Sequence, residues 1–208
     1  MVRAESPRIV DGPMRKSIGR AIVVGALALT VAVVPVFSTT VAAPTFDELV
    51  RRSELVIVAR VVATRSAWVD SRAGRSIVTD VTVSIEQTLK GPTYAERSLE
   101  FLGGTVGEDT LRVDGMPEFH VGDRAVLFVN ESGRPASPVV GFMYGWFRIV
   151  PDAATGVDMI RTHDGRPLAS TEDDGNARPP ARVAPARTLS LREFAREITD
   201  RVRAQAAR

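Results

Sequence analysis

The sequence predicts a mainly β protein: a small antiparallel β-barrel with a short N-terminal helix and a C-terminal helix. Three observations predict it. Between Ile77 and Gly91, residues Ile77, Thr79, Val81, Val83 and Ile85 share one face of an extended chain, and Val78, Asp80, Thr82, Ser84 and Glu86 share the other. A period of two in β-branched residues marks a half-buried strand. Around that strand, short apolar runs recur between Gly- and Pro-containing turns, the spacing of a sheet of several short strands. Thr45 with Glu48, and Ser190 with Glu193, have the Ser/Thr-x-x-Glu pattern that starts a helix.

Arg15, Lys16 and Arg20 precede the apolar run Ala21–Val36, and small residues follow up to Ala43. A basic start, an apolar stretch and small residues make a secretory signal peptide. Cleavage after Ala42 is preferred, because cleavage after Ala43 would set Pro44 behind the scissile bond. The alternative is an uncleaved membrane anchor, since the run is near the lower limit of a spanning helix. Residues 1–42 are therefore a signal or anchor. They hold five of the 27 Lys/Arg and two of the 25 Asp/Glu, so the remainder carries 22 basic against 23 acidic residues, a net charge of −1. A near-neutral exported body argues against nucleic acid as a partner. The chain has no cysteine, which excludes thiol nucleophiles, thiolate metal sites and disulfides. The fold rests on its core alone.

The body is expected over 43–162. A short helix from Phe46 to Ser53 turns Phe46, Leu49 and Val50 inward. Leu55–Ala63 is the most apolar run and reads as a strand with Arg60 on a partly open face. Val69–Arg75, with Asp70, Ser71 and Gly74, reads as a hairpin loop leading into the alternating strand, which stops at Pro92. Further strands are expected at Ser98–Leu102, Thr110–Val113 and Arg124–Val129. A strand pair interrupted at Gly145 is expected in Val139–Val150, and a last short strand at Val157–Arg161. Residues 163–188 are rich in Pro, Gly and charge and read as a disordered linker. In 189–208, Leu191, Phe194, Ile198 and Val202 form one helical stripe. The strand count fits an oligonucleotide/oligosaccharide-binding (OB) type barrel; a sandwich is the alternative.

The order of segments resembles the netrin-like OB domain of the tissue inhibitors of metalloproteinases. Residues 53–62 look like its first strand, Val81–Pro92 like its second strand and following turn, and Arg124–Val129 with Pro138–Phe142 like its later hairpin. The motifs Gly103-Gly104, Val113-x-Gly115-x-Pro117-x-Phe119-x-x-Gly122-Asp123-Arg124 and Gly141–Phe147 also resemble an uncharacterised group of bacterial exported proteins. The first resemblance implies a barrel and an extracytoplasmic protein partner, a metalloprotease. Those inhibitors chelate zinc through an N-terminal cysteine. Here Ala43-Pro44 stands at the expected mature start, so the resemblance supports the barrel more than the inhibition.

No catalytic constellation emerges. His120 and His163 are the only histidines, and neither belongs to a helical metal-ligand pair. No Gly-x-Ser-x-Gly elbow is present. Gly103-Gly104-Thr105-Val106-Gly107 lacks the Lys-Ser/Thr of a phosphate loop and reads as turns or bulges. Candidate contact residues for a partner are Ala43, Pro44, Gly103, Gly104, Met116, Pro117, Tyr144 and Trp146. The Met and aromatic residues among them serve either the core or an interface, since strand alternation sends half of each cluster inward. The function expected is an exported, non-enzymatic binding module without cofactor or metal. The alternatives are a secreted hydrolase with carboxylates at the barrel mouth, and an envelope module tethered by the apolar segment.

Overall fold

The computed structural model describes residues 43–71, 74–130, 136–171 and 188–207. The signal or anchor expected at 1–42 lies outside them, as does the linker from 172 to 187. Among the described residues no helix is long and apolar enough to cross a membrane.

The chain is mainly β, as the alternation predicts. Its elements are α1 (Phe46–Arg52), β1 (Leu55–Ser71), β2 (Gly74–Lys90), β3 (Glu96–Leu102), β4 (Gly104–Val106), β5 (Asp109–Leu111), β6 (Arg124–Val129), a 3-10 turn (Phe142–Gly145), β7 (Trp146–Pro151), β8 (Asp158–Arg161) and α2 (Leu191–Ala206). Six strands form one sheet in the order β3-β2-β1-β6-β7-β8, and β4 pairs with β5 in a small second sheet. Every ladder is antiparallel. Among the described residues no ladder joins β3 to β8, so the sheet is open at two edges.

Of the hairpin loop expected at Val69–Arg75, Val69–Ser71 and Gly74–Arg75 are strand. Val69 pairs with Ser76, Asp70 with Arg75 and Ser71 with Gly74, so β1 and β2 run on as one ribbon of 17 residues each. A cross-strand contact accompanies the extension: the Arg75 guanidinium lies 4.6 Å from the Trp68 indole centroid. Register shifts at Val56/Ile57, Val58/Ala59 and Val61/Ala63 bend the ribbon. The strand pair expected in Val139–Val150 is one strand. Val139 makes a single bridge to Val129, and the chain then turns through Phe142–Gly145 before β7. The short strand expected at Thr110–Val113 is β5, and its partner β4 starts inside the glycine run.

Alternation gives the sheet two apolar faces. Val56, Val58, Val126, Phe128, Ile149 and Ile160 point to one, and α1 and α2 cover them. Both helices start with the capping boxes expected at Thr45/Glu48 and Ser190/Glu193. In α2, Phe194 and Ile198 are fully buried, with Leu191 and Val202 packed beside them. Phe194 packs on Phe46, Phe128 and Phe147 at ring-centroid distances of 5.4, 6.4 and 5.0 Å. Arg201 fastens α2 to α1 through the Asp47 carboxylate at 2.8 Å. Lys90 donates to the Val50 carbonyl at 2.7 Å, which satisfies an end of α1 and fixes the turn after β2. Burial pulls the Lys90 ammonium below its usual proton affinity.

The segment expected as a linker from 163 packs against the core as far as Thr171. Leu168 is buried, its N–H donates to Ile160, and Leu189 donates to Leu168. The backbone around Leu168 and Leu189 thus covers the outer edge of β8. Buried Leu168 and the buried Thr171 hydroxyl, which donates to Glu197 at 2.5 Å and accepts from Arg201 at 3.0 Å, hold this stretch, a signal too small for composition to reveal.

Candidate binding groove

The opposite face of the sheet is built from Leu55, Ile57, Ala59, Val81, Val83 and Leu127, with Phe101 and Trp146 beside them. No helix covers it. The loop between β5 and β6 lays Met116 and Phe119 over it, both half-buried. Phe119 stands between Phe101 and Trp146, with ring centroids 5.1 Å from each. The turn after this loop is tied down: Gly122 donates to Val61, Val61 donates to the Asp123 carbonyl, and the Asp123 carboxylate accepts from the His120 N–H at 2.9 Å. These bonds give the Gly122-Asp123-Arg124 motif its structural role.

Three pockets that share lining residues follow this loop and are together called the groove. The first, beside α1, is lined by Pro44, Phe46, Leu49, Tyr144, Trp146, Phe147, His163 and Leu168. It shares Met143, Trp146 and His163 with a second pocket, lined also by Met116, Pro117 and Arg148. The second shares Met116, Pro117 and Glu118 with a third, which reaches Gly103, Gly104 and Phe119. Of the eight candidate contact residues, seven line one or more of these pockets, and Ala43 is the chain neighbour of Pro44. Their exposure differs. Trp146, Pro117 and Gly103 are buried and form its floor, whereas Ala43, Pro44, Gly104, Met116 and Tyr144 are half-buried and form its rim.

Two glycines set the ends of the groove. Gly104, at φ +133°, lies so close to β1 and β2 that a Cβ would meet the hydroxyls of Thr79 and Ser66 at 2.2 and 2.5 Å. Those hydroxyls bond each other at 2.8 Å, and Thr79 donates to the Gly103 carbonyl at 2.6 Å. Gly104 therefore belongs to a short strand pressed onto the ribbon, and the turn expected there falls at Gly107. At the other end Gly141, at φ +68°, lies under Pro44, whose Cγ would be 2.9 Å from an added Cβ.

His163 is half-buried. Its ring meets Tyr144 edge-on at 5.9 Å. Burial holds its imidazole below the usual proton affinity; Asp164 opposes this and Arg166 reinforces it. His120 is exposed, 3.6 Å from Asp123. The carboxylates that line the groove have partners: Glu118 faces Arg112 at 3.7 Å, and Asp123 accepts from the His120 N–H at 2.9 Å. Among the described residues no group of three or more His, Asp or Glu is placed to hold a metal ion. The arrangement can hold an apolar segment along a rigid floor.

Across the sheet, on the helix-covered face, Glu86, Arg124, Asp158 and Arg60 form an ion network. Arg124 meets Glu86 at 2.6 Å and Asp158 at 2.8 Å, and Arg60 meets Glu86 at 3.3 Å. The hydrogen bond from Arg124 holds the Glu86 carboxyl below its usual value, and the same bond raises Arg124. Sequence reading did not single out this network or Arg148. Nothing in the strand pattern says which arginine a given carboxylate meets.

No family model, curated protein or solved structure matches the chain.

Proposed function

We propose that the chain is an exported, non-enzymatic binding module. Its ligand is an extended segment of a protein outside the cytoplasm, held in the groove from Pro44 to Gly104. The observation that carries this reading is that Pro44, Tyr144, Met116 and Gly104 line a row of pockets linked through Met143, Trp146, His163 and Met116, with the carboxylates of Glu118 and Asp123 paired. Apolar floors with polar rims and aromatic and Met side chains characterise protein-binding surfaces. Export is inferred from the basic, apolar and small-residue succession of 1–42. The β-sheet is read as an open relative of the OB-type barrel, supported by the long bent ribbon of β1 and β2. A metalloprotease is the partner class that the inhibitor-like segment order favours.

The test uses the C-terminally tagged chain as bait in the native secretome, beside a Met116→Asp variant with an unchanged circular dichroism spectrum and melting curve. The reading expects one stoichiometric protein retained by the wild type and lost by the variant. If that protein is a metalloprotease, titration with the chain slows its peptide hydrolysis. Equal retention by both baits contradicts the groove.

A further inference from the structure

In two places the sheet sets one arginine directly opposite another on adjacent strands. Arg60 faces Arg124 across β1 and β6, and Arg148 faces Arg161 across β7 and β8. Directly opposed residues have Cβ atoms about 5 Å apart on one face, so like charges there repel. The first pair is neutralised, with Glu86 between both guanidinium groups and Asp158 at the far side of Arg124. Among the described residues the second pair has no such acid. Among the described residues neither Arg148 nor Arg161 makes an ion pair. Arg148 lies over the Trp146 ring at 5.9 Å, and Arg161 donates to the Gly165 carbonyl at 2.9 Å. The acids nearby are occupied: Asp164 by Arg166, Glu118 by Arg112, and Asp123 by the His120 N–H. Arg148 is exposed and lines the groove beside Met116, Trp146 and His163.

We propose that Arg148, backed by Arg161, is the subsite for a carboxylate of an acidic peptide segment whose neighbouring apolar side chain lies beside Trp146 and Met143. This rests on the reading of the groove as a protein-binding surface and names the chemistry of the segment. The opposed pair supplies the positive potential, and its repulsion is relieved only when an anion arrives. The ladder fixes both backbones, and the indole orients the Arg148 guanidinium. A planar guanidinium meets a carboxylate through two parallel N–H donors. A dianionic phosphate suits the place less well, because Glu118 and Asp123 line the same stretch.

The experiment selects a displayed library of random dodecapeptides on the full chain. The expected result is enrichment of sequences that set Asp or Glu next to a large apolar residue. The best of these loses at least tenfold in affinity for Arg148→Glu, and regains it when its acid is replaced by Lys. The unliganded Arg148→Glu protein melts at the same or a higher temperature than the wild type, because one repulsion is gone. Enriched peptides without an acid, or an affinity indifferent to Arg148→Glu, overturn the carboxylate subsite and leave the groove standing. A library that yields no binder overturns both readings. Co-sedimentation with phosphatidylglycerol vesicles, abolished by Arg148→Glu in the absence of peptide binding, overturns the peptide in favour of a lipid surface.

Discussion

On the helix-covered face, Phe46, Phe128, Phe147 and Phe194 close over one another, and the opposed arginines Arg60 and Arg124 share the Glu86 carboxylate. On the groove face, a loop rather than a helix lies over the strands, Met116 and Phe119 stay half-exposed, and the opposed arginines Arg148 and Arg161 have, among the described residues, no acid between them. Both faces come from the same strands by alternation, so their difference is not one of local propensity. One face has its apolar area and its charges satisfied from within the chain. The other also buries its strand residues, but the loop side chains Met116 and Phe119 and the arginine Arg148 stay partly at the surface, and that is where a partner has apolar area and charge to gain.

The largest effect that would sharpen this contrast is in the aromatic cluster. Phe194→Ala removes a fully buried ring and is expected to cost about 3–5 kcal/mol in urea unfolding. Phe119→Ala, on the groove face, is expected to cost about 1–2 kcal/mol, because its ring is partly exposed and contributes mainly its two ring contacts. Equal costs would break the comparison.

Next in size is the ion network. Glu86→Gln leaves Arg60 and Arg124 opposed and is expected to cost about 2 kcal/mol at neutral pH. The folded-state value of Glu86 lies below its ordinary 4.5. Its contribution is therefore complete above that pH and is lost as the pH falls through the folded value. Stability of the wild type and of Glu86→Gln, followed by thermal melts from neutral pH downward, should converge at the acid end. Arg148→Gln is the counterpart, expected to leave stability unchanged or raised.

A smaller effect is expected at the groove's end. Gly141→Ala forces an alanine to φ +68° and against Pro44, at a cost of about 1–2 kcal/mol. Its sharper readout is loss of the tryptophan fluorescence environment at the groove as Pro44 is displaced. The smallest concerns His163. Its folded value is lowered from 6.5 by burial, so the unfolded chain takes up the proton first. Stability is present above pH 6.5 and falls as the pH drops through the folded value. His163→Gln should flatten that part of the wild-type pH profile.

Most of the scaffold was legible in the residues. Alternation located β2, the capping boxes located both helices, and the stripe Leu191, Phe194, Ile198 and Val202 identified the docking face of α2. The misreadings have specific causes. Asp70, Ser71 and Gly74 look like a loop, yet pairing with the opposite strand outweighs their turn preference. Gly145 looked like a break between two strands and is instead the end of a 3-10 turn packed on the Val140 carbonyl. Leu168 carries too little apolar signal to show that 163–171 packs. The groove was visible only as scattered Met, aromatic and Gly residues, because its pockets link where four separate loops meet. The opposed arginines need the register of β7 against β8, which no single segment specifies.

The central claim is that the face without a helix is the one that binds. Site-specific photo-crosslinking tests it most directly, with p-benzoylphenylalanine placed either at Glu118 on the loop over the helix-free face or at Arg196 on the exposed side of α2. Both proteins would be incubated with the native secretome and irradiated. The account predicts one discrete crosslinked protein from Glu118, competed by unlabelled chain, and none from Arg196. The same protein captured from Arg196 alone, or equally from both positions, would contradict it.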